Sequence, residues 1–321
     1  MKLIANWLNS FNYSKEELAK LTSIRDSEQI VEDNFEEEKN RTFSMLPFNS
    51  FTHKELSVDT CATNIINKLF DKYVDDDTLV ITTGSEHHSV KNNFKKCKNL
   101  IHFVCRGEIR KDIDIIKEIK PFKKVFIYMI ALSVGDTHYL NNCIIEWLQQ
   151  ILKENNKQFV TVLDAVQELF LLPRDYSIYD YVVGTSHALI PNYDMGMLFG
   201  KSDFSYKAGN WLKDFNDCMS ILLRNRDKLY QLNVIMRQHF AKFTTFDKDL
   251  IDSSRAPYVY NLCDYKKRLE GLNDVDYEHG AIVPGDYTPV TFRACPFLAH
   301  QEKFIDRIQQ IDNILEIDIG N

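Results

Sequence analysis

Five short segments carry side chains that could do chemistry. The first, Thr83-Gly-Ser-Glu-His87-His88-Ser89-Val90, follows an apolar run and sets two imidazoles side by side. Histidine moves protons near neutral pH, and its flat ring can pack on a heterocycle. A helix start with two solvated histidines has the same appearance. No HExxH or comparable ligand spacing points to a metal. The second, Val162-Leu-Asp164-Ala-Val-Gln167, ends a β-rich run with a carboxylate and then an amide. It suits a partner for a cationic nitrogen, or an Asp that caps the next helix. The third, Asp180-Tyr-Val-Val-Gly-Thr185-Ser186-His187-Ala188, runs out of a strand through polar groups, with Pro191 and Gly196 beyond. The fourth, Val290-Thr-Phe-Arg293-Ala, offers a guanidinium that can clamp a carboxylate in two-pronged fashion or lie on an edge strand. The fifth, Cys61-Ala-Thr63-Asn-Ile-Ile-Asn67, reads as a helix start, where exposed backbone N–H groups favour phosphate.

The elements around these segments define a scaffold. Strand-like runs at Thr78–Thr83, Leu100–Cys105, Val125–Ile130, Phe159–Leu163 and Tyr181–Gly184 alternate with helical patterns such as Asp112–Glu118 and Asn141–Asn155. Apolar strands interleaved with helices predict an α/β fold with a mostly parallel sheet covered on both faces. Ligands bind such sheets at the carboxyl ends of the strands, where the second and third segments fall. After Gly200 the alternation stops. Residues 206–243 read as one long helix with Trp211, Phe215, Met219, Leu222 and Leu223 on one side. Strand-like Tyr258–Leu262 and Val290–Ala294 follow, then a closing helix over 300–315. The division expected is a large α/β domain at 46–205 and a smaller, discontinuous α+β domain at 1–45 and 206–321. The Glu32–Glu38 charge run is expected to be a solvated face.

The 321 residues suffice for two domains. A net charge of −7 argues against nucleic acid and anionic membrane as partners. The seven scattered cysteines fit buried free thiols in a reducing cytosol. The N-terminal stretch lacks a signal peptide's apolar core, and no apolar run is long enough to span a bilayer, so the expected location is cytoplasmic.

Taken in order, the segments resemble those of pyridoxal-phosphate (PLP) enzymes of fold type I, in the class-V aminotransferase and cysteine-desulfurase superfamily. The resemblance spans roughly residues 55–200 well and 275–315 loosely. It implies that His87 stacks on the cofactor ring and relays a proton. It gives Asp164 to the ring nitrogen, Gln167 to the phenolic oxygen, and Thr63, Thr185 and His187 to the phosphate. Arg293 is then the anchor for a substrate carboxylate. It also implies a homodimer and a small amino-acid substrate.

The chain departs from the pattern at several places. Leu132-Ser-Val-Gly135 has leucine where the family often has asparagine, and Cys61 replaces a glycine. No cysteine lies in 280–291, which disfavours desulfuration. The largest departure is Ala188, which stands where the family carries the lysine that forms the Schiff base with the cofactor. Lys201 is a poor substitute, because its register puts it at the far end of the next strand. The expectation is a transaminase- or lyase-type enzyme inactivated by lysine-to-alanine replacement, the surrounding site residues being intact. The alternatives are a natural lysine-less relative that uses pyridoxamine phosphate, a non-catalytic binding or regulatory protein, and, as chemistry, a decarboxylase.

Overall fold

A strand whose residues are apolar on both sides must be covered on both faces, and the four runs at 78–82, 124–130, 158–164 and 181–185 satisfy this by pairing in the interior of one sheet. The computed structural model describes residues 16–17, 34–47, 50–105, 107–132, 139–170, 173–186, 194–201, 204 and 209–224. It also describes the backbone of 259–261, 277–279 and 290–293. In chain order the elements are α1 (Phe35–Met45), β1 (Glu55–Asp59), α2 (Ala62–Tyr73), β2 (Thr78–Thr82), α3 (His88–Phe94), β3 (Asn99–His102), β4 (Val104–Cys105) and β5 (Glu108–Ile109). They continue with α4 (Ile115–Ile119), β6 (Lys124–Ile130), α5 (Asn142–Glu154), β7 (Gln158–Asp164), β8 (Tyr181–Thr185), β9 (Gly196–Gly200) and α6 (Gly209–Leu223). Three short strands follow, β10 (Val259–Asn261), β11 (Tyr277–His279) and β12 (Val290–Arg293).

The main sheet has seven strands in the order β1-β9-β8-β7-β6-β2-β3. The pairs from β3 through β8 are parallel, whereas β9 runs antiparallel to both β8 and β1. The mixed α/β architecture expected from the sequence is therefore present, and β8 and β9 pair as antiparallel neighbours. Two details differ. The run at 100–105 divides into β3 and the short hairpin strand β4, and edge strand β1 is not among the runs expected from the sequence.

Side-chain alternation sends the two sides of each strand to different cores. Val80, Phe126, Tyr128, Val162, Val183 and Leu198 meet Ile65, Ile66, Leu69 and Phe70 of α2 and Val90 of α3. The intervening Leu79, Ile81, Ile127, Met129, Leu163, Val182 and Phe199 join a second core with residues of α1, α4, α5 and α6. Full burial of side chains such as Ile145, Leu148 and Leu152 of α5 contributes about 1.5–3 kcal/mol each. Asn141 caps α5 by accepting from the Cys143 N–H, and Asn155 follows its last turn, so this helix matches its expected bounds.

Helices α1 and α6, which the sequence assigned to the smaller part, pack on each other and join the second core. Phe43 meets Phe199 edge-on, and Phe170 meets Phe215. Of the long apolar helix expected over 206–243, the described part is α6. It buries Trp211, Phe215, Met219 and Leu222 as its periodicity requires. Glu38 corrects one expectation: it is not solvated but buried, and its carboxylate accepts from Asn216 Nδ2 at 2.8 Å. A buried carboxylate is tolerated because a polar partner on the facing helix replaces water.

The cysteines need a similar adjustment. The five described ones are free, but only Cys218 is buried, and Cys105 and Cys143 are exposed. Among the described residues no helix is long and apolar enough to cross a membrane. The short strands form a separate sheet of order β10-β12-β11.

Candidate functional site

The carboxyl ends of β2, β6, β7 and β8 lie side by side, and side-chain parity decides what they present. Two residues beyond Val162 is Asp164, and two beyond Val183 is Thr185. Both therefore belong to the face covered by α2 and α3.

Asp164 is buried. Its Oδ2 accepts from the Tyr128 hydroxyl at 2.9 Å and its Oδ1 from the Val166 N–H at 3.2 Å. Burial pushes the carboxyl up to about 6, while the two hydrogen bonds hold it down. Tyr128 is itself buried two residues from the end of β6, and burial together with the Asp164 charge raises its hydroxyl well above the ordinary range. Gln167, in the turn after β7, is buried as well.

Thr185 and Ser186 turn their hydroxyls to the Met195 carbonyl, at 3.2 and 3.4 Å, so the exit from β8 is tied to the entry into β9. The register partner of Thr185 is Gly196. This glycine has a specific reason. A Cβ built on it would lie 2.4 Å from the Cys61 carbonyl carbon and 2.6 Å from the Ala62 nitrogen. Only a residue without a side chain lets the amino end of α2 approach β9 so closely.

Amides in the first turn of a helix lack intrahelical acceptors. Cys61 precedes the helix in extended conformation and makes no side-chain cap, so the first-turn amides of α2 have no capping partner from it. The nearby Asp59 does not compete for them. Its carboxylate accepts from Thr60 N, from Asn64 Nδ2 and from Lys68 Nζ at 2.5 Å, and these partners lower it below the usual carboxylate range despite burial. Thr63 lies exposed in the first turn.

His87 is the residue before α3 and is exposed. Its Nδ1 accepts from the Ser89 N–H at 3.4 Å and lies 2.9 Å from the Ser89 hydroxyl. Accepting at Nδ1 puts the ring proton on Nε2. The residue beside it is Glu86, whose side chain is wholly buried. Glu86 Oε1 accepts from the Thr83 N–H at 2.6 Å and from the Thr83 hydroxyl, whereas Oε2 is buried with no hydrogen-bond partner among the described residues. Burial pushes this carboxyl up to about 7.

The structure thus brings Asp164, Thr185 and the α2 terminus bearing Thr63 to one face, with Gln167 in the turn beyond β7. His87 stands five residues past the end of β2, on the entry to the helix over the same face. His187 and Ala188 lie outside the described residues. Arg293 is described only through its backbone, which ends β12 opposite Val259. Lys201 pairs with Asp180 at the amino end of β8, the opposite edge of the sheet from Thr185, as its register predicts. Leu132 is buried and apolar where an asparagine was the family's choice.

Sequence reasoning passed over Glu86 and Tyr128. The available signals were faint: a carboxylate directly before the histidine pair, and one hydroxyl in a strand that after Lys124 is otherwise Val, Phe, Ile and Met.

No family model matches the chain, and no curated protein does so significantly. Solved structures do. A NifS-like protein superposes with a TM-score of 0.63 at 16% identity, covering 100% of this chain and 96% of that one. Ureidoglycine–glyoxylate aminotransferase from Bacillus subtilis gives 0.64 at 12%, with 95% and 90% covered. A second NifS-like protein, from Rickettsia africae, gives 0.62 at 13%, with 96% and 98% covered. The chain has the PLP fold type I of these proteins, with a mostly parallel seven-stranded main sheet.

Proposed function

We propose that this chain binds pyridoxal 5′-phosphate, or its amine form pyridoxamine 5′-phosphate, at the carboxyl edge of the sheet. In this reading the underlying enzyme is of transaminase or lyase type and acts on an amino acid or a molecule bearing an amino-acid group. One observation carries the proposal. A buried carboxylate, Asp164, shares a sheet face with the Gly196 contact that draws the uncapped α2 terminus against β9.

A heterocycle with a basic nitrogen at one end and a phosphate at the other suits that arrangement. Asp164 holds the protonated ring nitrogen, and burial makes the pairing stronger than it would be in water. The α2 amides, Thr63, Thr185 and His187 receive the phosphate. His87 covers the ring face, Gln167 donates to the phenolic oxygen, and Arg293 takes the substrate carboxylate. When bound, PLP supplies an electron sink for the carbon next to the substrate nitrogen. Tyr128 fixes the plane of the Asp164 carboxylate, so the charge facing the ring is oriented before the cofactor arrives. With alanine at 188 the site has no amine there to hold the cofactor covalently or to shuttle a proton. This copy is therefore a disarmed catalyst.

The test is to make Ala188→Lys and titrate it with PLP while recording absorbance. The expected result is a new band near the visible edge that shifts when amino acids are added, absent in the unsubstituted protein. A lysine form that neither binds PLP nor alters any amino acid would sink the enzyme reading. Binding of pyridoxamine phosphate by the unsubstituted chain, with turnover of a keto acid, would transfer the reading to a natural lysine-less enzyme.

A further inference from the structure

We infer that Arg174 is the positioning residue for the cofactor-facing Asp164, acting through Glu168 on one side and the Ala131 peptide on the other; the inference rests on the cofactor reading above. Arg174 and Glu168 are both buried beneath the carboxyl edge of the sheet. The guanidinium has five N–H donors, and each has an acceptor. Nε meets Glu168 Oε1 at 2.6 Å, and Nη2 meets Glu168 Oε2 at 3.2 Å and the Ala131 carbonyl at 3.4 Å. Nη1 meets the Leu140 carbonyl at 2.7 Å and Asn142 Oδ1 at 2.6 Å. The Tyr139 ring lies against the guanidinium, 4.5 Å from centroid to Cζ.

The Ala131 route ends at the Asp164 peptide, and the Glu168 route ends one residue beyond it, at the Ala165 carbonyl. Ala131 gives its N–H to the Asp164 carbonyl at 2.8 Å while its own carbonyl is held by Arg174. Glu168 closes the turn after Asp164, its N–H donating to the Ala165 carbonyl at 3.0 Å. Arg174 therefore ties the end of β6, the start of α5 and the Asp164–Gln167 turn to one rigid fork. A lysine point charge could pair with Glu168 but could not reach the other three acceptors together. Stability alone does not account for such a device, because a buried ion pair replaced by apolar groups of similar volume is often no less stable.

That physical chemistry supplies the test. The Arg174→Met/Glu168→Leu double variant and Arg174→Lys are compared with the unsubstituted protein by thermal unfolding without cofactor and by equilibrium dialysis against PLP. The double variant, in which the Leu140 carbonyl also loses its Arg174 donor, is expected to unfold cooperatively at a somewhat lower temperature than the parent. While folded, it is expected to bind PLP about tenfold more weakly, as displaced site groups do. Arg174→Lys, which keeps the charge pair, is expected to show the same loss of affinity. It decides the question if the double variant does not fold. Parent-like affinity in a folded variant overturns the positioning role. A parent protein that binds no PLP shows instead that the cofactor reading has failed, and the inference with it.

Discussion

The Tyr128 hydroxyl donates to Asp164 Oδ2 across 2.9 Å, and both side chains are buried at the carboxyl end of the sheet. The bond links neighbouring strands β6 and β7, and it does so on the face that α2 and α3 cover. It stabilises the ionised carboxylate against the burial that opposes it.

Removing either partner should therefore change how the protein treats a basic heterocycle. Asp164→Ala is expected to abolish detectable PLP binding in dialysis, and to abolish activity in the Ala188→Lys form. Tyr128→Phe should have a smaller effect. It loses a hydrogen bond to a charged group, on the order of 1.5–3 kcal/mol, and lets the Asp164 carboxyl titrate higher. Unchanged PLP affinity in Asp164→Ala would mean that the ring nitrogen does not lie there.

Glu86 predicts a pH dependence of folding. Its carboxyl is raised by burial from an ordinary 4.5 to about 7. The Thr83 hydrogen bonds and the Lys91 charge oppose this, and Tyr128 feels its charge from β6. A raised carboxyl means that the folded chain keeps a proton which the unfolded chain has already released. The stabilisation is complete below pH 4.5 and is lost as pH rises through 7. Glu86→Gln, neutral throughout, should flatten that slope. Relative to the parent it should gain up to about 3 kcal/mol between pH 4.5 and 8, an upper bound set by the size of the shift. Denaturant unfolding of the cofactor-free protein at pH 5 and pH 7.5 measures the difference. Parallel losses in parent and variant would show that the Glu86 proton is not coupled to folding. Asp164, raised to about 6, acts in the same direction over a lower window and is common to both proteins.

The sheet was legible in the sequence because each central strand is a short β-rich run bounded by helical periodicity, and that pattern survives any tertiary detail. Asp164 and Thr185 were singled out by resemblance, and what the sequence made legible is their place at the carboxyl ends of β7 and β8. Glu86 and Tyr128 were not. A buried carboxylate and a surface one look alike until the packing around Thr83 is known, and a tyrosine in an apolar strand is ordinary core until its hydroxyl finds Asp164. Arg174 and Glu168 are six residues apart in a segment with no periodic pattern, so their pairing depends on how the chain turns after β7. Glu38 was misjudged for a related reason. Its acidic run is exposed at Glu36 and Glu37, whereas the third member turns inward to the distant Asn216, with Arg41 pairing from one turn on.

Gly196 and Gly184 lie on neighbouring strands, and comparing them separates a phosphate effect from a packing effect. A Cβ at Gly196 would sit 2.4–2.6 Å from backbone atoms of Cys61 and Ala62, which can yield only if the amino end of α2 moves. A Cβ at Gly184 would meet Leu169 Cδ2 at 2.4 Å, the tip of a side chain that can rotate away. Both substitutions overpack the core and should cost about 1–3 kcal/mol in stability. Only Gly196→Ala should also disturb the amides that face an anion. The expected result is that the parent and Gly184→Ala prefer PLP over phosphate-free pyridoxal, whereas in Gly196→Ala that preference falls by about tenfold or more. Dialysis with the two vitamers measures it directly. If Gly196→Ala discriminates between them as strongly as the parent does, the phosphate is held somewhere other than the junction of α2 with β9.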